Sequence, residues 1–299
     1  MELFELIQTL NRAHGPSGDE GEIREVIRAL AEPYADEITA DTMGSLIVHR
    51  RGKGPKLLLA AHMDSIGFVV THIEKEGFLR VGRLGGVSPK EAAYTPVRFK
   101  SGQLVQVGDS AVYDAPAFRT GDLVVSPYLD DRISCAVLLS ALERIGECLN
   151  DLYLVFTAQE EVGLRGARTA AWSIAPDYAV AVDVTDVDDT PGSERAGTAR
   201  LGRGAAVKVM DSSVICHPAM VALLEDTARE GDIPVQRDIM RAGGTDAGAI
   251  HLTRTGVITG GISVPCRYIH TPAETASLSD ADACVRLAAA LAQRPLEQP

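Results

Sequence analysis

Apolar residues Leu3, Leu6, Ile7 and Leu10 recur at the spacing of one helix face. After the turn-rich His14-Gly15-Pro16-Ser17-Gly18, a second helix is predicted over about 20–30. Strand patterns follow at 45–49 and 56–61. The second, KLLLAA, is almost continuously apolar, the mark of a strand covered on both faces, and its carboxyl end delivers His62-Met63-Asp64.

From 66 to about 125 the pattern changes. Short β-rich stretches at 67–73, 78–82, 97–100, 104–107 and 123–125 are punctuated by Gly77, Gly82, Gly85-Gly86, Gly102 and Gly108, with no long helix among them. Helix–strand alternation then resumes: helix 131–146, strand 152–157, a helix after Gly163, and strand 178–182. Strand 205–209, helix 218–230, strand 256–262 and helix 279–291 complete it, with no internal repeat. The expected fold is α/β, a three-layer α/β/α sandwich with a mostly parallel central sheet and a small β-rich inserted domain. The main domain is expected to be discontinuous, 1–66 and 125–299, around an insertion at 67–124.

Composition narrows the partners. With 45% hydrophobic and 23% charged residues over 299 positions, the chain is an ordinary globular one and not a disordered or repetitive one. At that size a core needs neither disulfide nor metal to hold it, so any metal here is chemical. The 29 basic and 41 acidic residues leave a charge of −12, and no run of Lys and Arg offsets it, which argues against nucleic acid and anionic membranes as partners. Five cysteines without a CxxC pair favour a reducing compartment over a disulfide framework. The start of the chain reads as an amphipathic helix and not an export signal, and no apolar run approaches the roughly 18 residues of a membrane span. The expected location is the cytoplasm.

The ionisable residues carry the chemistry. Sites in open α/β sheets form beyond the carboxyl ends of the strands. Predicted strand ends deliver His62 and Asp64, then Glu160 and Glu161 after LYLVFTAQ, Asp183 after YAVAV, and His270 after GGISVPCRYI. Asp130, in SPYLDDR, sits where the insertion returns and a helix begins. Singly, each reads as a cap or a surface residue; together they form a mixed imidazole–carboxylate set suited to zinc, cobalt or manganese. Two divalent ions would bring about four positive charges against the carboxylates of Asp130, Glu160, Glu161 and Asp183, whereas one ion would leave repulsion uncompensated. Adjacent Glu160 and Glu161 point in different directions, so one can ligate a metal while the other serves as general base; a helix N-terminus enriched in acids explains one Glu more easily than this pair within TAQEEVGLRGA. Asp64 is expected to accept the second ring N–H of His62. If Asp130 bridges two metals, the Asp130–Asp131 peptide is a candidate for a cis linkage.

At these residues the sequence resembles the M42 family of dinuclear metallo-aminopeptidases, within the wider zinc exopeptidase clan. The matching stretches are AAHMDSIGFVV, LDDRISCAVLL, FTAQEEVGLRGA, VAVDVTD, LGRGAAV, CHPAM, GGTDAGAI and SVPCRYIHTPAE, in family order. The resemblance implies that His62, Asp130 and Asp183 hold one metal and Asp130, Glu161 and His270 the other, with Glu160 as general base. It implies that Thr245 and Asp246 lie near the site for substrate binding, although a glycine-rich loop capping the next helix explains GGTDAG equally well. It also implies a peptide substrate and a homo-oligomer built through the β-rich insertion. That insertion departs from the family pattern: it reads as shortened, and the family's Pro-His-containing segment has no counterpart between Gly86 and Asp122.

The expected activity is a metal-dependent aminopeptidase. The alternative is a deacylase acting on N-acyl amino acids with the same ligand set. A non-catalytic peptide-binding scaffold should lack a ligand or base, and none is missing. Glycoside hydrolysis needs carboxylates opposed across about 5–9.5 Å, which neighbouring Glu160 and Glu161 do not offer.

Overall fold

In the strand Lys56–His62, successive side chains enter different cores: Leu57, Leu59 and Ala61 join one cluster, Leu58 and Ala60 the other. The run is apolar throughout because a helical layer covers each face. The computed structural model describes residues 1–100, 104–191 and 198–299. Lys56–His62 lies between Asp151–Thr157 and Tyr178–Asp186, followed by Ile258–Arg267, and these four strands are parallel. Helices Leu3–Arg12, Gly21–Ala31, Leu129–Arg144, Pro218–Glu230 and Leu278–Gln293 pack into the larger core on one face. Arg165–Ile174 and the short helix Ala247–Ile250 cover the other through Ala167, Ala170, Ala171, Ala249 and Ile250. The three-layer sandwich is therefore present, with parallel strands at its centre.

Its flanks are antiparallel. Leu46–Arg50 and Glu37–Ala40 extend one side, and Glu274–Ser277, Leu123–Ser126 and Phe118–Thr120 the other. Ala205–Met210 runs antiparallel to Ile258–Arg267 and carries Val235–Ile239 beside it. A separate four-stranded antiparallel sheet is built from Gly67–Ile73, Leu79–Leu84, Val97–Phe99 and Ser110–Tyr113, around its own core of Ile66, Phe68, Ala111, Val112, Tyr113 and Tyr128. Among the described residues no helix is long and apolar enough to cross a membrane.

Several elements differ from the pattern-based expectation. The strand expected at 104–107 is absent, because Leu104 and Val107 are exposed and meet no neighbouring strand; Ser110–Tyr113 pairs instead. The strand at Leu123–Ser126 joins the large sheet and not the inserted one. Glu37–Ala40, Val235–Ile239 and Glu274–Ser277 were not anticipated; the first two are short, largely exposed edge strands with little apolar alternation. Tyr178–Asp186 continues past 182, which places Asp183 inside the strand and not beyond it. Gly102 lies outside the described residues.

Candidate metal centre and active site

His62 closes the central strand Lys56–His62, and Asp183 lies on its parallel neighbour. Glu160 and Glu161 follow Asp151–Thr157, and His270 follows Ile258–Arg267. Asp130 sits at the start of Leu129–Arg144, where the backbone of Asp130 and Asp131 is not yet helical and their peptide is cis. The chain directions thus bring all six side chains to one edge. One carboxylate, Asp130, stands between two imidazoles: Oδ1 is 3.0 Å from His62 Nε2 and Oδ2 is 3.1 Å from His270 Nε2. Glu161 Oε2 lies 3.2 Å from His270 Nε2, while Glu160 Oε2 and Asp183 Oδ1 lie 3.9 and 4.0 Å from His62 Nε2.

Neighbouring groups aim these side chains. The ring of His62 is held through Nδ1, 3.0 Å from the backbone carbonyl of Asp64, which leaves Nε2 for the acids. The Asp64 carboxylate does not make the bond expected of it, since its Oδ1 is 3.7 Å from the ring, too long for a hydrogen bond. It accepts instead from the Ser17 hydroxyl at 2.6 Å and from the N–H groups of Glu160 and Glu161 at 2.9 and 3.3 Å. Asp64 is wholly buried and positions the glutamate pair; it does not face the cleft. Nor do the two glutamates cap a helix, because Arg165–Ile174 begins beyond them at Leu164 without a side-chain cap.

Two residues outside the expected set complete the support. Glu274 accepts from the backbone N–H of Asp130 at 2.9 Å and of His270 at 2.7 Å, so one buried carboxylate ties both together. Arg132, also buried, donates to the carbonyls of Leu10 and Gly15 at 2.7 and 3.1 Å and anchors the first helix against the site. The glycine pair 85–86 has a steric role: a Cβ on Gly86 would stand 2.4 Å from His270 Nδ1, and one on Gly85 would meet Glu161 at 3.0 Å. Supporting partners of this kind are worth roughly 10–100-fold in metal affinity or activity. Glu274→Ala is therefore expected to lower metal content and kcat/KM by that factor, read by elemental analysis beside steady-state kinetics. Full metal content with normal kinetics would refute the assignment.

The electrostatics follow from burial without a counter-cation. Among the described residues no Lys or Arg pairs with Asp130, Asp131, Glu160, Glu161 or Asp183. Burial raises the carboxyls of Glu160 and Asp183 well above their ordinary range, and burial with the Asp130 charge raises Glu161. Asp130 alone is pulled down: its hydrogen bonds to His270 and His62 overcome the cost of burial. For His62, burial is outweighed by Glu160, Asp130 and Asp64, which hold the imidazole well above the usual histidine range. His270 is only partly buried, and Asp130 and Glu161 outweigh that burial and push it up to about 12.

These residues fit divalent cations. Donor atoms of His62, Asp130 and Glu161 lie within 4.8 Å of one another, as do those of His62, Asp131 and Asp183. Asp131 was not among the expected ligands; its Oδ2 accepts the His62 N–H at 3.1 Å. Glu161 Oε1 and Asp131 Oδ1 are buried with no hydrogen-bond partner, a costly state that a cation would relieve.

The site opens into a cleft of about 940 Å³ lined by His62, Asp130, Glu160, Glu161, Asp183 and His270. Thr245 and Asp246 do not line it, although Gly243 and Gly244 of the same loop do. Thr245 donates to Asp211 Oδ2 at 3.1 Å, and Asp246 accepts from Thr157 at 2.5 Å behind the site, with its carboxyl raised by burial to about 6. Both side chains thus pack next to the site without lining the cleft.

The sequence profile described as M42 glutamyl aminopeptidase matches residues 44–104 and 99–287, which include every residue at this edge. The chain belongs to the M42 aminopeptidase family. The enzyme is thus a metal-dependent aminopeptidase, a hydrolase of peptide bonds. A putative aminopeptidase of Acetivibrio thermocellus is 43% identical over 96% of this chain and 97% of its own length. Aminopeptidase APDkam598 of Desulfurococcus kamchatkensis superposes with a TM-score of 0.94 at 36% identity, covering 97% of this chain and 94% of the other. The Pyrococcus horikoshii TET1 peptidase, which assembles into a tetrahedron or a large octahedral shell, superposes at 0.86 with 28% identity over 97% and 99%. For the aminopeptidase, Glu274 had one sequence cue: it follows His270 by four positions within HTPAE. Arg132 and Asp131 lie inside LDDR, but nothing local says that a guanidinium there reaches back to the first helix.

Proposed function

We propose that this aminopeptidase removes single residues from peptide N-termini with two divalent ions, zinc first and cobalt or manganese as alternatives. His62, Asp130 and Asp183 would hold one ion, and Asp130, Glu161 and His270 the other. The observation that carries the reading is Asp130, whose two oxygens each approach a different imidazole. Ions bound there would acidify a water and polarise the scissile carbonyl.

The protein's own residues do the rest. Glu160, which lines the cleft beside the ligands, takes the proton of the attacking water and passes it to the leaving amine. Asp64 fixes the direction of Glu160 through the backbone N–H. The free α-ammonium of the substrate is received by the acidic wall beside the site. Turnover of Leu-, Lys- or Glu-p-nitroanilide, with about two ions per chain, tests the proposal. Turnover of N-acetyl amino acids alone would replace it with the deacylase.

Metal loading carries its own pH signature. The acids hold both imidazoles protonated above their ordinary range, and a metal needs them neutral, so binding must expel protons. Affinity is expected to rise with pH, and titration calorimetry in two buffers of different ionisation heat should show proton release. Heats independent of the buffer would contradict the ligand assignment.

The inserted unit at 67–124 supports assembly with further copies in the cytoplasm. Phe78, Tyr94, Leu104 and Val107, in or beside the four-stranded sheet, are each more than half exposed and are available for contact with a further copy. Sedimentation or light scattering would read the oligomer directly.

A further inference from the structure

Asp130, Glu160, Glu161 and Asp183 are the cleft carboxylates nearest the two imidazoles, and two divalent ions with about four positive charges would offset them. The cleft holds more acid than that. Glu91, on the short helix Pro89–Ala92 of the inserted unit, lines it, as does Asp188 just past Tyr178–Asp186. Asp186 lies on the same wall with a contact of its own. Among the described residues, neither Glu91 nor Asp188 pairs with a Lys or Arg, and no Lys or Arg lines the cleft at all. The contrast with the next residue is direct: Asp189 is bound by Arg267 at 2.6 Å. The remaining lining includes Leu164 and Met240, apolar surface on which an alkyl stem can lie while its charged head stays with the acids.

We propose that this cleft selects peptides whose N-terminal residue is basic, lysine or arginine, and disfavours acidic ones, with Glu91 and Asp188 supplying the selectivity. The inference rests on the dinuclear aminopeptidase reading. Every substrate brings an α-ammonium, so that group does not discriminate; the first side chain does. A basic side chain meets surplus negative charge, whereas an acidic one enters a cleft with no cation among the described residues to receive it. The glutamyl preference in the family's description would need such a cation.

The test compares kcat/KM of the metal-loaded enzyme for Lys-, Arg-, Leu- and Glu-p-nitroanilide at low and high salt. Lysine and arginine substrates should exceed the glutamate substrate by at least about 100-fold, with the gap narrowing as salt screens the cleft. Calorimetry with free L-lysine and L-glutamate should show the same order in binding without turnover. The double variant Glu91→Gln with Asp188→Asn should reduce the Lys-to-Glu ratio about tenfold. Both side chains are at least partly exposed, so the fold should tolerate the change. Cleavage of the Leu substrate with Glu equal to or better than Lys would overturn the selectivity and leave the aminopeptidase reading standing. An unchanged ratio in the double variant would overturn the assignment to these two residues. Failure on all four substrates by fully loaded protein would overturn both readings.

Discussion

Glu160→Gln is expected to keep its metal and to lose about 10²–10⁴-fold in kcat. The amide matches the carboxylate in shape, and the backbone N–H of residue 160 still donates to Asp64, so the loop keeps its direction. What disappears is a group able to accept a proton. Glu160 approaches His62 no closer than 3.9 Å, against 3.0 Å for Asp130, consistent with a base beside the ligands and not a ligand. Because that loss belongs to the transition state, kcat and kcat/KM should fall together with KM little changed. Elemental analysis must accompany the kinetics. A variant retaining kcat within about tenfold of the parent would remove Glu160 from the mechanism.

Asp130→Ala should have the larger consequence, loss of both ions and of all measurable turnover. Its two oxygens serve the two imidazoles, so a single truncation removes a donor from each half of the site. Remaining nearby are Glu160, Glu161, Asp183 and Asp131, buried carboxylates that already repel one another. Binding to the native state raises Tm by mass action, so the parent should show a metal-dependent rise that the variant lacks. Asp130→Asn preserves volume and hydrogen-bond reach and guards against a folding defect. Either variant, folded by circular dichroism and still binding about two ions per chain, would disprove the bridging role.

Most of the main elements were legible because burial writes itself into periodicity. Leu6, Ile7 and Leu10 are buried as their spacing predicts, and KLLLAA is apolar on both faces because both are covered. Glu37–Ala40 carries no such signal, since its residues are mostly exposed and its stability comes from pairing with Leu46–Arg50. The same logic explains the absent strand at 104–107, where apolar residues without a partner face solvent. At the site, residue types and strand ends were enough to nominate His62, Asp130, Glu160, Glu161, Asp183 and His270. The job of Asp64 was not, because hydrogen-bond choice depends on which donors arrive from elsewhere: Ser17 and the 160–161 backbone outcompete a ring at 3.7 Å.

By itself the sequence determined the layered α/β class, the family and the acid–imidazole chemistry, since these reside in periodicity, composition and short motifs. Only the tertiary structure decided that Asp130 faces two imidazoles at once, and that Glu274, 144 positions along the chain from Asp130, ties it to His270. It alone showed the glycine pair 85–86 making room for Glu161 and His270, and Thr245 and Asp246 turned away from the cleft. The reason is distance along the chain: hydrogen bonds and close approaches between remote segments depend on the packed backbone, which local patterning does not encode.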